Sequence, residues 1–203
     1  MGEDFGTKIK GIFTDEPHRG AEFNAFSISN KNGLCMTPYT PKLFEEYYAR
    51  FKERLEDRLP ELYFASNDDN FSEVSWKYNE LLEELFLRNY MRPIYSWCKK
   101  NNLVFTGHML HENTLSAQVT MQGSAMRFYE YMEYPGIDYL GTEGDCYPIA
   151  IAVSSVAKQL GKKFVLSELY GATGWKTTFE QYKQIGDWQA LFGVNLRCPH
   201  LSW

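Results

Sequence analysis

Five short apolar runs in this 203-residue chain end in groups that can do chemistry. "KIKGIFT" (8–14) runs into Asp15 and Glu16 and is closed by Pro17. "LVFTGHML" (103–110) brings His108, His111 and Glu112, and "IDYLG" (137–141) leads into Thr142, Glu143 and Asp145. "KFVLSEL" (163–169) contains Ser167 and Glu168, and "GVNLRC" (193–198) leads through Arg197 to His200 and Trp203. A single acid after a strand is ordinarily a helix cap or a solvated turn. Recurrence at four successive ends is different, because a water-exposed strand end has no folding need for a carboxylate each time. Burial and neighbouring charge can push the pKa values of two carboxyls apart, so that one gives a proton while the other acts as base or nucleophile. Across a glycosidic bond, that pair protonates the leaving oxygen and attacks the anomeric carbon, directly or through water. The same oxygens suit a hard cation such as Ca²⁺, for which Asp15, Glu112 and Glu143 are candidates.

Such groups need a frame that gathers strand ends on one side. Helical patterns separate the five runs, at 41–59, 75–102, 124–133, 147–161 and 177–193. In 41–59, apolar or aromatic residues recur at 43, 44, 47, 48, 51, 55 and 59, a helical stripe, with Pro41 suited to a first turn. Pro93 predicts a kink or restart in the second. Strands alternating with helices predict an α/β fold with a parallel sheet. In a (β/α)8 TIM-type barrel, active-site groups sit on loops after the strands, and one unit averages about 31 residues. Glu112 to Glu143 is 31 residues, Glu143 to Glu168 is 25, and Glu168 to His200 is 32. Only the gap from Glu16 to Glu112 breaks that rhythm, and residues 20–75 read as an insertion with a helical region inside a single domain, 1–203. Segments 20–40 and 65–72 read as mobile.

A net charge of −5 argues against nucleic acid as the main partner. No run of about 18 apolar residues exists to span a membrane, and "MGEDFGTK" lacks the features of a signal peptide. Cys35, Cys98, Cys146 and Cys198 show no metal or redox spacing and read as buried thiols. Two other readings compete. A binding module without catalysis would stack sugars on Trp175, Trp188 and Trp203. A metal-dependent hydrolase would use His108, His111, Glu112 and His200, although H-x-x-H-E is not the H-E-x-x-H zinc helix.

"GIFTDEP", "TGHMLHENTLSAQVTMQGSAMRFYEYMEYPGIDYLG" and "VLSELYGATGWKTTFEQYKQIGDWQALFGVNLRCPHLSW" together resemble successive blocks of the catalytic barrel of α-L-rhamnosidase-like glycoside hydrolases of family 106. The likeness covers nearly the whole chain and is weakest over 20–75. It implies strands four to eight of a TIM-type barrel, the rest of the barrel and β-rich domains lying elsewhere in a larger enzyme. It also implies inverting cleavage of terminal α-L-rhamnosides in an oligosaccharide or polysaccharide, calcium near the site, and a secreted, periplasmic or cell-surface bacterial protein. By position, Glu168 and Glu112 become catalytic candidates. "TDEP" also resembles the Asn-Glu-Pro of the large retaining barrel clan, which pairs Glu16 with Glu168 instead. His108, Glu143, Asp15, Trp175, Asp187, His200 and Trp203 are the expected substrate-binding residues.

Overall fold

The computed structural model describes residues 2–19, 37–64, 72–141 and 146–200. The chain divides into two compact units, Met1–His18 with Arg88–Trp203, and Arg19–Leu87. The second contains the helical region expected within 20–75 and runs on to Leu87. Of the segments expected to be mobile, 20–36 and 65–71 lie outside the described residues.

The first unit holds five strands: β1 (Gly11–Thr14), β2 (Val104–Gly107), β3 (Tyr134–Tyr139), β4 (Leu166–Leu169) and β5 (Leu196–Pro199). They form one sheet in the order β1-β2-β3-β4-β5, and every neighbouring pair is parallel. Helices α3 (Arg92–Lys100), α4 (Leu115–Met121), α5 (Ala125–Tyr129), α6 (Tyr147–Gln159) and α7 (Phe179–Leu191) lie between successive strands. Because each crossover steps in the same direction, the order never reverses as it does in a doubly wound sheet. Same-handed crossovers then stack the helices on one face, and the sheet curls into a half-barrel. The α/β expectation therefore holds, with five parallel strands.

Local sequence explains the elements. Helix α6 buries Ile149, Ala150, Val153, Val156 and Ala157, a stripe at helical spacing, against β3. Helix α7 opens on a capping box, in which the Thr178 hydroxyl accepts from Gln181 N and the Gln181 side chain accepts from Thr178 N. Phe105, Ile137 and Leu169 are buried at the sheet's centre. Gly107 has φ +142°, and a Cβ there would lie 2.1 Å from the Thr14 carbonyl oxygen. Only glycine lets β1 and β2 approach so closely while holding that backbone angle.

The second unit comprises α1 (Leu43–Phe51), a 3₁₀ stretch (Leu55–Leu62) and α2 (Glu73–Phe86). Leu43, Tyr47, Leu55, Val74, Tyr78 and Leu81 are part of its core. The helix expected over 41–59 stops at Phe51, where Lys52 turns left-handed with φ 60° and caps by donating its N–H to Tyr48 O. Farther on, Pro60 stands inside the 3₁₀ stretch and lacks the N–H that an α-helical bond there would need. Between α2 and α3 the chain passes through a π-helical turn, Leu87–Met91, and Pro93 stands in the first turn of α3. That is the restart its ring predicts. Helix α4 was not expected, and the Thr114 hydroxyl caps it by accepting from Ala117 N at 3.1 Å. Its stripe is too short, with Leu115 and Val119 exposed, to register as a helical period.

Candidate active site

The chemistry gathers at the C-terminal ends of β1 to β4. His108 is the residue next after β2, fully buried, and it packs edge-on against the Phe13 ring at 5.5 Å. Its Nε2 lies 2.9 Å from Glu168 Oε2 and 3.3 Å from Asp15 Oδ1. Both neighbours are carboxylate oxygens, so the proton belongs on Nε2, where the ring can donate. Nδ1 is buried without a hydrogen-bond partner among the described residues. Burial alone would lower the imidazole pKa. The charges of Glu112 and Asp138 and the hydrogen bond to Glu168 outweigh it and raise the pKa.

Glu168 sits in β4 in register with Asp138 of β3. In-register residues of parallel neighbours face the same side of the sheet, so the two carboxyls share a face. Asp138 was not among the expected site residues. The signal for it was an acid inside an apolar strand, between the buried residues Ile137 and Tyr139. Burial pushes its carboxyl up to about 6; His108 opposes that rise, while Glu168, Glu16 and Asp15 add to it. Its Oδ1 is buried and has no hydrogen-bond partner among the described residues. One carboxyl thus feels the charges of Asp15, Glu16 and Glu168 at once.

Glu16 occupies the left-handed region, φ 48°, an uncommon angle for a residue with a side chain. Its carbonyl accepts from His18 Nδ1 at 3.0 Å. Asp15 is 74% exposed and Glu168 only 17%, so the cluster grades from solvent into a buried floor.

Glu112 belongs to that floor and is almost wholly buried. Oε1 accepts from Met109 N at 3.1 Å and from the Tyr129 hydroxyl at 2.6 Å, and Oε2 accepts from Asp138 N at 3.1 Å. Burial pushes its carboxyl up to about 7, and the Tyr129 hydroxyl is the largest of the influences holding it back. These bonds tie the loop after β2 to α5 and to the backbone of Asp138.

His200 follows β5, with Nε2 3.9 Å from Glu168 Oε1. Beside it opens a cavity of about 990 Å³, lined among others by Leu140, Tyr170, Trp175, Tyr182, Arg197 and His200. Trp175 is 87% exposed there. Asp187 lies on α7 and pairs with Lys183, one turn away on the same helix. Glu143 and Trp203 lie outside the described residues.

Asp15, His108 and Glu168 could each turn one ligand atom toward a common ion, those atoms lying within 4.8 Å of one another. Calcium takes six to eight oxygens. Asp15 and Glu168 would supply two carboxylates and His108 an imidazole nitrogen, while Glu112 is engaged by three donors. Cys98, Cys146 and Cys198 are free thiols. Among the described residues, no helix is long and apolar enough to cross a membrane.

No protein-family model and no curated protein sequence matches this chain. Among solved structures it is similar to a rhamnosidase from Novosphingobium sp. PP1Y, with a TM-score of 0.69 at 16% identity. The match covers 99% of this chain but only 18% of that one. At that identity the likeness is one of fold, and the chain spans less than a fifth of the enzyme whose fold it shares.

Proposed function

We propose that the chain is the active-site-bearing segment of a glycosidase barrel, corresponding to strands four to eight of a TIM-type (β/α)8 fold. It acts on terminal α-L-rhamnosyl or closely related O-glycosides of oligosaccharides or polysaccharides. The observation that carries this reading is the hydrogen bond from His108 to Glu168 within a group of carboxyls on one sheet end. The fold shared with a rhamnosidase supports it independently.

Glu168 acts on the anomeric carbon, directly or through water, while a carboxyl that holds its proton protonates the leaving oxygen. Asp138 suits the second role, because burial keeps its proton to about pH 6. Glu16 and Asp15 border the cleft and bind hydroxyls with His200. Glu112 acts from beneath, through the Asp138 backbone. An aryl α-L-rhamnoside tests this: the Glu168→Gln variant should lose at least about a thousandfold in turnover. Undiminished turnover in that variant would remove Glu168 from the mechanism. The anomer first released reports whether attack is direct or through water.

One observation favours a second reading, carbohydrate binding without catalysis. Trp175 presents an exposed indole beside Tyr170 and Tyr182, a surface suited to stacking on sugar rings. Rhamnoside binding that survives loss of both Glu16 and Glu168, with no turnover, supports this reading over the first.

A further inference from the structure

The cavity beside the carboxyl cluster differs from it in charge. Its lining includes Arg197 and His200, with Lys183 paired to Asp187 along α7, and no Asp or Glu among the described residues. Arg197 is the charge that marks the cavity.

Arg197 stands in β5, and its Nη2 donates to the Gly186 carbonyl of α7 at 3.0 Å. No carboxylate lies within ion-pair distance of it among the described residues. Its placement is prepared by the backbone. A Cβ on Gly186 would lie 2.8 Å from Arg197 Nη1, 2.9 Å from Cζ and 2.9 Å from the Tyr170 hydroxyl. Glycine there gives the guanidinium a flat seat on the helix, and one carbonyl leaves most of its five donors for something else.

The walls are aromatic. Tyr170 and Tyr182 meet edge to face at 4.8 Å, and Trp175 lies in the same lining. The loop that carries Tyr170 and Ala172 holds both in left-handed angles, φ 75° and 55°. Gly171 between them lets the loop close on His200, since a Cβ there would lie 2.9 Å from the imidazole Cγ. Strain of this kind persists where packing over-determines it, commonly at ligand-binding positions. His200 lines the cavity and also stands 3.9 Å from Glu168, so the cavity adjoins the carboxyl cluster.

A guanidinium with spare donors pairs with oxyanions such as a carboxylate or a sulfate in a two-point fashion, and aromatic faces take the apolar face of a sugar ring. The volume is at the upper end of ordinary ligand pockets, about 300–1,000 Å³. We infer that this cavity, which meets the carboxyl cluster at His200, is a subsite for a sugar unit bearing an anionic group, a carboxylate or a sulfate. The inference rests on the glycosidase reading and names its substrate class: an acidic glycan rather than a neutral one.

Calorimetric titration of the full chain tests it with two probe pairs, a methyl glucuronoside against its methyl ester, and glucose 6-sulfate against glucose. The charged member of at least one pair should bind about tenfold more tightly at low salt, and the preference should shrink as salt is added. The pair that shows it identifies the anion. Arg197→Gln should abolish the preference, while Arg197→Lys should retain part of it. Equal affinity within both pairs, or no measurable binding of any probe, overturns the inference. A preference that survives Arg197→Gln in a variant with wild-type thermal stability overturns it as well. Binding is read here without turnover, so failure of hydrolysis and failure of the subsite are separate results.

Discussion

His108 and Glu168 hydrogen-bond across a strand that lies between them. His108 follows β2 and Glu168 belongs to β4, yet Nε2 and Oε2 are 2.9 Å apart. Between them runs β3, which presents Asp138 in register with Glu168. Neighbouring strands stand about 4.8 Å apart, so a second neighbour in a flat sheet is close to 10 Å away. The bond closes that gap because the sheet curls and the two side chains reach toward each other. The geometry makes the carboxyl cluster a property of the curl rather than of any one loop.

Replacing His108 tests that geometry. Without the imidazole, Glu168 loses its donor, and His108→Ala should lower kcat about a hundredfold with little change in KM. His108→Gln can still donate, and should recover part of the loss. A rise in KM at unchanged kcat would mean that His108 binds substrate instead of holding Glu168.

Asp138 sets the pH limit if it is the proton donor. Its carboxyl is pushed up to about 6 by burial, with Glu168, Glu16 and Asp15 adding to the rise. The acid form is the working form, so turnover should fall as pH climbs through about 6. Asp138→Asn should remove that falling limb. It should cost about 10²–10⁴-fold on a substrate with a poor leaving group, and far less on an aryl glycoside whose leaving oxygen needs no proton. An unchanged pH profile in the variant would exclude Asp138 as the acid.

The five strands and their order along the chain were legible in sequence, because short apolar runs follow from burial alone. What each acid does was not legible. Glu112 and Glu168 look alike in sequence, each a glutamate near the end of an apolar run. Only the structure shows that Met109 N, Tyr129 and Asp138 N turn toward Glu112, while His108 turns toward Glu168. Tyr129 lies 17 residues from Glu112 and Asp138 lies 26 away, separations that no local pattern encodes. Asp138 was missed for a related reason: inside a strand its neighbours are apolar, and its acidic neighbours arrive only when the sheet curls.

The buried Glu112 should leave a mark on stability. Its folded pKa is about 7 against an ordinary 4.5. Between those values the folded state binds the proton more tightly than the unfolded chain, so stability falls as pH rises through that window and levels off above it. The loss is of the order of 1–3 kcal/mol. Glu112→Gln cannot titrate, and should make the fall in denaturation midpoints between about pH 4.5 and 7 shallower, leaving the part that Asp138 contributes up to about pH 6. Tyr129→Phe removes a donor that holds the carboxyl down, so the falling limb should extend to higher pH. Its cost should be about 1–3 kcal/mol. Parallel pH curves for wild type and Glu112→Gln would show that the carboxyl titrates normally.

Gly107 gives a test of the sheet that needs no substrate. A Cβ there would stand 2.1 Å from Thr14 O and 2.9 Å from Thr14 N, both backbone atoms that cannot rotate away. The angle φ +142° is also one that side-chain-bearing residues rarely adopt. Alanine must therefore push β1 from β2, where Thr14 pairs with Gly107 and Asp15 begins. Gly107→Ala should destabilise the fold by about 3 kcal/mol or more, read as a lower urea midpoint. The same displacement carries Asp15 away from His108, so any turnover that remains should fall further than stability alone explains. Gly161 is the matching control. It also has positive φ, 64°, but a Cβ there meets nothing within 4 Å. Gly161→Ala should therefore cost only about 1 kcal/mol, the backbone term alone. Equal losses at the two positions would mean that backbone angle, not the approach of β1 to β2, makes glycine necessary at Gly107.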